Sequence, residues 1–131
     1  MSEKTHKGSC LCGAIRYTAR GELRPVTYCH CSQCRKQTGH YYAATAVADG
    51  DLSIDGADNI SWYHASSHAR RGFCRICGSA LFWKMETAPH TSILAGSLDG
   101  KTGLKGERHI FCADMGDYYS LNDDLPKLDT Y

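Results

Sequence analysis

Apolar and polar positions alternate with a period of two in several short stretches of this chain. In Ala14–Thr18, Ile15 and Tyr17 are set against Arg16 and Thr18, which puts the apolar pair on one face of a strand. A second strand is expected at Val26–Cys29, after a turn at Arg24-Pro25. Tyr41–Val47 is rich in aromatic, β-branched and small residues, and Asp49-Gly50 follows as a turn. Leu52–Ile54 and Ile60–Tyr63 flank Asp55-Gly56, a hairpin signal. Ser79–Met85 and Thr91–Leu94 read as later strands. Ser32–Thr38 reads equally as one turn of helix, capped by Ser32 and ended by Gly39, or as a loop. The expected class is mostly β, with short strands joined by tight turns.

Composition narrows the function classes. A chain of 131 residues suits a single domain with a real core. Hydrophobic residues at 42% and charged residues at 22% are ordinary for a folded domain and argue against disorder. A formal net charge of +1 supplies no field toward nucleic acid or anionic lipid, so neither is an expected partner. Met1–Ser9 is polar, without the apolar centre of a secretion signal. No apolar run approaches the ~20 residues of a membrane-spanning helix. The expected location is the cytoplasm, where thiols stay reduced.

That expectation changes the meaning of the eight cysteines, from a disulfide framework to metal ligands. They fall into Cys10-x-Cys12, Cys29-x-Cys31-x-x-Cys34, Cys74-x-x-Cys77-Gly78 and the singleton Cys112. Zinc takes four ligands at tetrahedral corners. A C-x-C on a strand turns both thiols to one face. A C-x-x-C followed by glycine makes a tight knuckle whose thiols converge. Cys10, Cys12, Cys74 and Cys77 together would close a structural site. Cys29, Cys31 and Cys34 lie within six residues and would leave the fourth corner open, the pattern of a catalytic zinc. A thiolate-rich zinc favours a further soft ligand such as a substrate thiol. The alternatives are disulfides or free core cysteines for the first set, and closure by His30, His40 or His109 for the second. Spacing alone also leaves Cys10 and Cys12 free to join the middle group. Cys112 is expected to be a small buried apolar side chain.

The order of blocks is specific. They are Gly8-Ser9-Cys10-Leu11-Cys12-Gly13-Ala14-Ile15-Arg16-Tyr17, Cys29-His30-Cys31-Ser32-Gln33-Cys34-Arg35-Lys36-Gln37-Thr38-Gly39, Arg71-Gly72-Phe73-Cys74-Arg75-Ile76-Cys77-Gly78-Ser79-Ala80-Leu81, His109-Ile110-Phe111 and Asp123-Asp124-Leu125-Pro126. This arrangement resembles the GFA family, named for glutathione-dependent formaldehyde-activating enzyme, which also contains CENP-V-like proteins. The resemblance runs from Gly8 to about Pro126 and implies one domain of this type across residues 1–131. It implies a β-tent zinc fold of small antiparallel sheets and two zinc ions. Cys10, Cys12, Cys74 and Cys77 match the structural ligands, and Cys29, Cys31 and Cys34 the catalytic ones. The implied activity joins glutathione, or a similar small thiol, to formaldehyde, a carbon–sulfur lyase reaction when run backwards. A non-catalytic zinc module and a thiol redox sensor are the other readings.

Arg35, Lys36, Arg70 and Arg71 are candidate partners for the carboxylates of glutathione. His40, His64, His68 and His109 are candidate proton carriers. Trp62, Trp83, Tyr28, Tyr41 and Tyr42 are expected in the core or on a pocket wall.

Overall fold

The alternation produces ten strands and a single short α-helix among the described residues, 4–131 of the computed structural model. Met1, Ser2 and Glu3, part of the polar N-terminal stretch, lie outside that range. The strands are β1 (Thr5–Ser9), β2 (Arg16–Arg20), β3 (Val26–Cys29), β4 (Tyr42–Ala48), β5 (Leu52–Asp55), β6 (Ile60–His64), β7 (Ala69–Cys74), β8 (Ala80–Met85), β9 (His90–Leu94) and β10 (Gly106–Ile110). Helix α1 spans Ser32–Thr38. Two sheets result, one of three strands in the order β1-β2-β5 and one of seven in the order β10-β3-β4-β9-β8-β7-β6. The mostly β expectation holds. One pair departs from the antiparallel pattern, since β10 runs parallel to β3.

Apolar side chains of both sheets meet in a main core, and a smaller cluster gathers around Cys34, Tyr42 and Ala44. In β2, Tyr17 and Ala19 point inward while Arg16, Thr18 and Arg20 do not, as period two requires. Ile15, Leu81, Phe82 and Ile93 are fully buried. Tyr17 of the small sheet meets Phe82 of the large sheet edge-to-face, with centroids 5.5 Å apart. The Tyr17 hydroxyl, buried with its ring, is paired with Ser97 Oγ at 2.5 Å. No helix among the described residues is long and apolar enough to cross a membrane.

Two local expectations change. Asp55-Gly56 does not close a hairpin: β5 pairs with β2, and β6 pairs with β7 of the other sheet. A turn pair marks where the chain can reverse, but the partner is chosen by which open strand edge lies nearby. Here Gly56 adopts φ 80 and a 3₁₀ turn at Ala57–Asn59 carries the chain from one sheet to the other. Helix α1 forms, and Gly39 ends it in the left-handed conformation (φ 82). Its N-cap is Cys31 rather than Ser32, because the Cys31 sulfur accepts from the Cys34 backbone N–H at 3.4 Å.

Gly56 is tightly constrained. A Cβ there would lie 2.0 Å from the Ala14 carbonyl oxygen, which is backbone and cannot swing away. Gly56→Ala therefore combines a positive φ with a clash and is expected to cost about 2–4 kcal/mol. Chemical denaturation of the metal-loaded protein measures it, and a loss under about 0.5 kcal/mol contradicts the account.

Candidate functional site

The four outer cysteines converge because two turns face each other. Cys10 and Cys12 lie in the turn between β1 and β2, Cys74 ends β7, and Cys77 lies in the turn before β8. All four sulfurs lie within 4.8 Å of one another. Cys10 and Cys12 are 3.6 Å apart at sulfur, and Cys12 and Cys74 are 3.8 Å apart. A tetrahedron with Zn–S of ~2.3 Å has an edge of ~3.8 Å, whereas a disulfide requires ~2.05 Å. The spacing suits a shared cation, and all eight cysteines are free of disulfides.

Donors around these sulfurs favour thiolates. The Ile15 N–H points at Cys10 Sγ at 3.3 Å, and the N–H groups of Ile76 and Cys77 point at Cys74 Sγ at 3.4 Å. Ser79 Oγ lies 3.2 Å from Cys77 Sγ and accepts from the Leu11 N–H at 2.9 Å. The Ser79 hydroxyl, and then its backbone, lower the Cys77 thiol to about 5. These contacts orient ligands as outer-shell partners do in metal sites. Gly78, at φ 82, lets the knuckle close with a Gly78 N–H to Cys74 carbonyl bond of 2.8 Å.

The three inner cysteines gather where β3 gives way to α1. Cys29 ends β3, Cys31 caps the helix and buried Cys34 sits in its first turn, with all three sulfurs within 4.8 Å of one another. Hydrogen bonds from Cys29 and then Cys34 hold the Cys31 thiol far below its usual value, while donation to Cys31 raises Cys29. A cation held by the three sulfurs would draw off their protons.

Arg71 of β7 is the charge beside them. Only 5% exposed, it donates to Cys34 Sγ at 3.4 Å, to Gln37 Oε1 at 3.1 Å and to Gln33 Oε1 at 3.4 Å. Gln33 and Gln37 stand one turn apart on α1 and hold the guanidinium by its planar fork. A buried cation needs an opposite charge. Arg71 makes no salt bridge among the described residues, so its counter-charge is the cysteine cluster.

The trio and Arg71 open on a cavity of about 470 Å³ with Trp83, Ile110 and Phe111 among its walls. Arg24 and Arg108 line it as well, and no motif in the sequence singles either out. Tyr42 is on its wall, as expected; the Tyr42 hydroxyl is buried without a hydrogen-bond partner.

Of the four basic candidates, only Arg71 reaches the trio. Arg70, on the opposite face of β7, lies 4.3 Å over the Trp62 ring and pairs with Glu86 at 3.6 Å. Arg35 and Lys36 follow Cys34 on α1 but lie outside the cavity lining. A run of basic residues after a cysteine specifies proximity along the helix, not direction.

Neither cysteine cluster includes a histidine among the described residues. His30 and His109 are spent on each other. His30 Nε2 and His109 Nδ1 are 2.8 Å apart, His30 Nδ1 meets the Tyr119 hydroxyl at 2.5 Å, and His109 Nε2 meets Asp123 Oδ2 at 2.8 Å. Both ring nitrogens of both histidines are occupied. Burial, then the neighbouring His109, pushes His30 down to about 4, and the bond from His109 holds Asp123 at about 2. This chain of contacts ties the C-terminal segment to β3 and β10 behind the trio. His40 packs on the rings of Tyr41, Tyr118 and Tyr119. His64 and His68 are exposed and line no part of the cavity. The histidine that does line it is His90. Cys112 is only partly buried, in a 3₁₀ turn at Cys112–Asp114, and burial raises its thiol.

A curated Schizosaccharomyces pombe protein, named as an uncharacterized lyase, is 33% identical over 78 residues. That match covers 60% of this chain, and the chain spans 56% of the relative's length. A crystal structure of a Rhodobacter sphaeroides protein superposes with a TM-score of 0.60 at 29% identity, covering 74% of this chain and 91% of the other. The family described as glutathione-dependent formaldehyde-activating enzyme matches residues 5–114, which takes in both cysteine clusters and leaves the Asp123–Pro126 block outside. Over that span, most of its length, the chain belongs to the GFA family.

Proposed function

We propose that the chain acts as one GFA-type zinc domain and catalyses carbon–sulfur lyase chemistry on adducts of glutathione or a similar small thiol with formaldehyde. The observation that carries this reading is the inner trio: three clustered sulfurs beside a buried guanidinium, opening on a cavity large enough for a ligand. In this reading Cys10, Cys12, Cys74 and Cys77 hold a structural zinc, and Cys29, Cys31 and Cys34 hold a second. Zinc at the second site supplies Lewis acidity that keeps a substrate thiol deprotonated near neutral pH.

The protein's own groups do the rest. The trio carries its negative charge next to Arg71, which offsets it and prevents the thiolates from repelling an incoming sulfur. The apolar walls exclude water and strengthen each charge interaction inside. The reaction is an addition: the thiol loses its proton, its sulfur forms a bond to the carbonyl carbon, and the displaced π pair on oxygen takes up a proton to give a hydroxymethyl thioether. The reverse breaks the carbon–sulfur bond and returns thiol and aldehyde. A reducing compartment such as the cytoplasm keeps both clusters in the thiol state this needs.

Exchange NMR on glutathione and formaldehyde tests the reading. Zinc-loaded protein is expected to speed exchange into S-hydroxymethylglutathione above the uncatalysed rate. No acceleration, with two zinc ions per chain confirmed, would sink this substrate assignment.

A further inference from the structure

Arg24 and Arg108 are charges the cavity does not use. Arg24 precedes β3, and Arg108 lies in β10, the strand hydrogen-bonded to β3, so both approach the cavity from one end of the large sheet. Arg24 is anchored through Nη2 to the Ala44 carbonyl at 3.0 Å and through Nε to the Pro25 carbonyl at 3.4 Å. Its Nη1 makes no hydrogen bond among the described residues. Nor does the Arg108 guanidinium, which lies 5.2 Å over the Tyr131 ring with its Nε buried and unpaired. Neither arginine makes a salt bridge among the described residues. Glu107 lies nearby, yet its carboxylate accepts from the Thr27 hydroxyl at 2.9 Å. Among the described residues, no Asp or Glu lines the cavity.

Two like charges side by side in an apolar pocket repel each other and lose hydration. Such an arrangement is stable once an anion completes it. Guanidinium geometry selects a planar oxyanion, a carboxylate above all. Arg71 also leaves its Nε unpaired, but Gln33, Gln37 and Cys34 hold its Nη1 and Nη2 against the trio, at the sulfur end of the cavity.

We infer that Arg24 and Arg108 form a carboxylate subsite that makes the cavity selective for acidic thiols over neutral ones of similar size. The inference rests on the reading above, in which the ligand's sulfur occupies the inner trio. The ligand then spans from Cys29, Cys31 and Cys34 at one end to the two arginines at the other. The sulfur end is common to all thiols, so the arginines supply the discrimination.

Cobalt-substituted protein tests this without turnover, because thiol binding perturbs the cobalt–thiolate absorption of the inner site. 3-Mercaptopropionate and 2-mercaptoethanol are titrated into the wild type, Arg24→Gln, Arg108→Gln and Arg24→Lys, each with two cobalt ions per chain confirmed. The wild type is expected to bind the acid at least tenfold more tightly than the alcohol. Each glutamine variant is expected to lose on the order of tenfold for the acid and less than twofold for the alcohol. Arg24→Lys is expected to recover part of the preference, and Arg70→Gln, outside the cavity, to leave it intact. Equal affinities in the wild type, or equal losses for both thiols, overturn the subsite. A wild type whose spectrum ignores both thiols overturns instead the reading of the inner trio as a thiol site, and the subsite falls with it.

Discussion

Cys74→Ser is expected to leave little folded protein, even with zinc in excess. Cys74 is fully buried and belongs to the main core with Cys10, Leu81 and Phe82. Its sulfur also accepts two backbone N–H groups of the knuckle. The residue therefore joins the packing of the core to the tie between the two sheets, across 62 residues of chain from Cys12. Structural zinc sites contribute apparent free energies of about 10–16 kcal/mol in small peptides, against a typical stability of about 5–15 kcal/mol for a whole domain. Losing one of four ligands, with an unpaired hydroxyl left in the core, should exhaust that margin. Amide NMR dispersion and zinc content check it. A well-dispersed spectrum with unchanged thermal midpoint would show that the cluster is not structural.

The contrasting variant is Cys31→Ala. Its expected effect is on chemistry: a fall in formaldehyde–glutathione exchange of about 10³-fold or more, close to the uncatalysed rate. Zinc should drop from two ions per chain to one. Stability should change much less, by about 1 kcal/mol, the worth of the helix cap that Cys31 provides. The inner trio stands at the edge of α1 and beside a cavity rather than inside the main core, so its loss leaves the two sheets joined. The same NMR exchange assay, run with zinc analysis and a thermal melt, separates the outcomes. Unchanged exchange in the folded variant contradicts the catalytic assignment. A collapse as deep as that of Cys74→Ser would move the trio into the structural role.

Both predictions begin in features that are local in sequence. The C-x-C thiols converge from the β1–β2 turn and from the β3–α1 junction and not along a strand as expected, but C-x-x-C-Gly specifies how neighbouring thiols point, because the left-handed glycine acts over a few residues. That is why the two cysteine clusters are legible in the sequence, down to their membership once the family resemblance is added. The alternation of Ile15 and Tyr17, and the run of aromatic, β-branched and small residues at Tyr41–Val47, are equally local. Both mark strands; burial follows the alternation in β2, while in β4 Thr45 is buried next to Ala44 and breaks it. The helix at Ser32–Thr38 is half visible: Gly39 marks its end, but its cap is a cysteine that also belongs to the inner cluster.

What depends on partners is not visible in the sequence. Asp55-Gly56 marks a turn, yet β5 and β6 join different sheets, since strand pairing is decided by which edges the rest of the chain leaves open. Strands β7 and β10 leave no clear signal because Arg70, Arg71 and Arg108 break the apolar pattern. In the fold those arginines stack on Trp62, face the cysteines, or cover Tyr131. Arg24, Arg71 and Arg108 lie far apart along the chain and meet only around the cavity. The pairing of His30 with His109, 79 residues away, takes both histidines out of contention as ligands. The chain's own pattern determined which residues can bind metal and most of the stretches that form strands, all but β1, β7 and β10, because both follow from spacing over a few residues. The tertiary structure alone decided which charges face those metal ligands, because long-range contacts depend on how the two sheets close on each other.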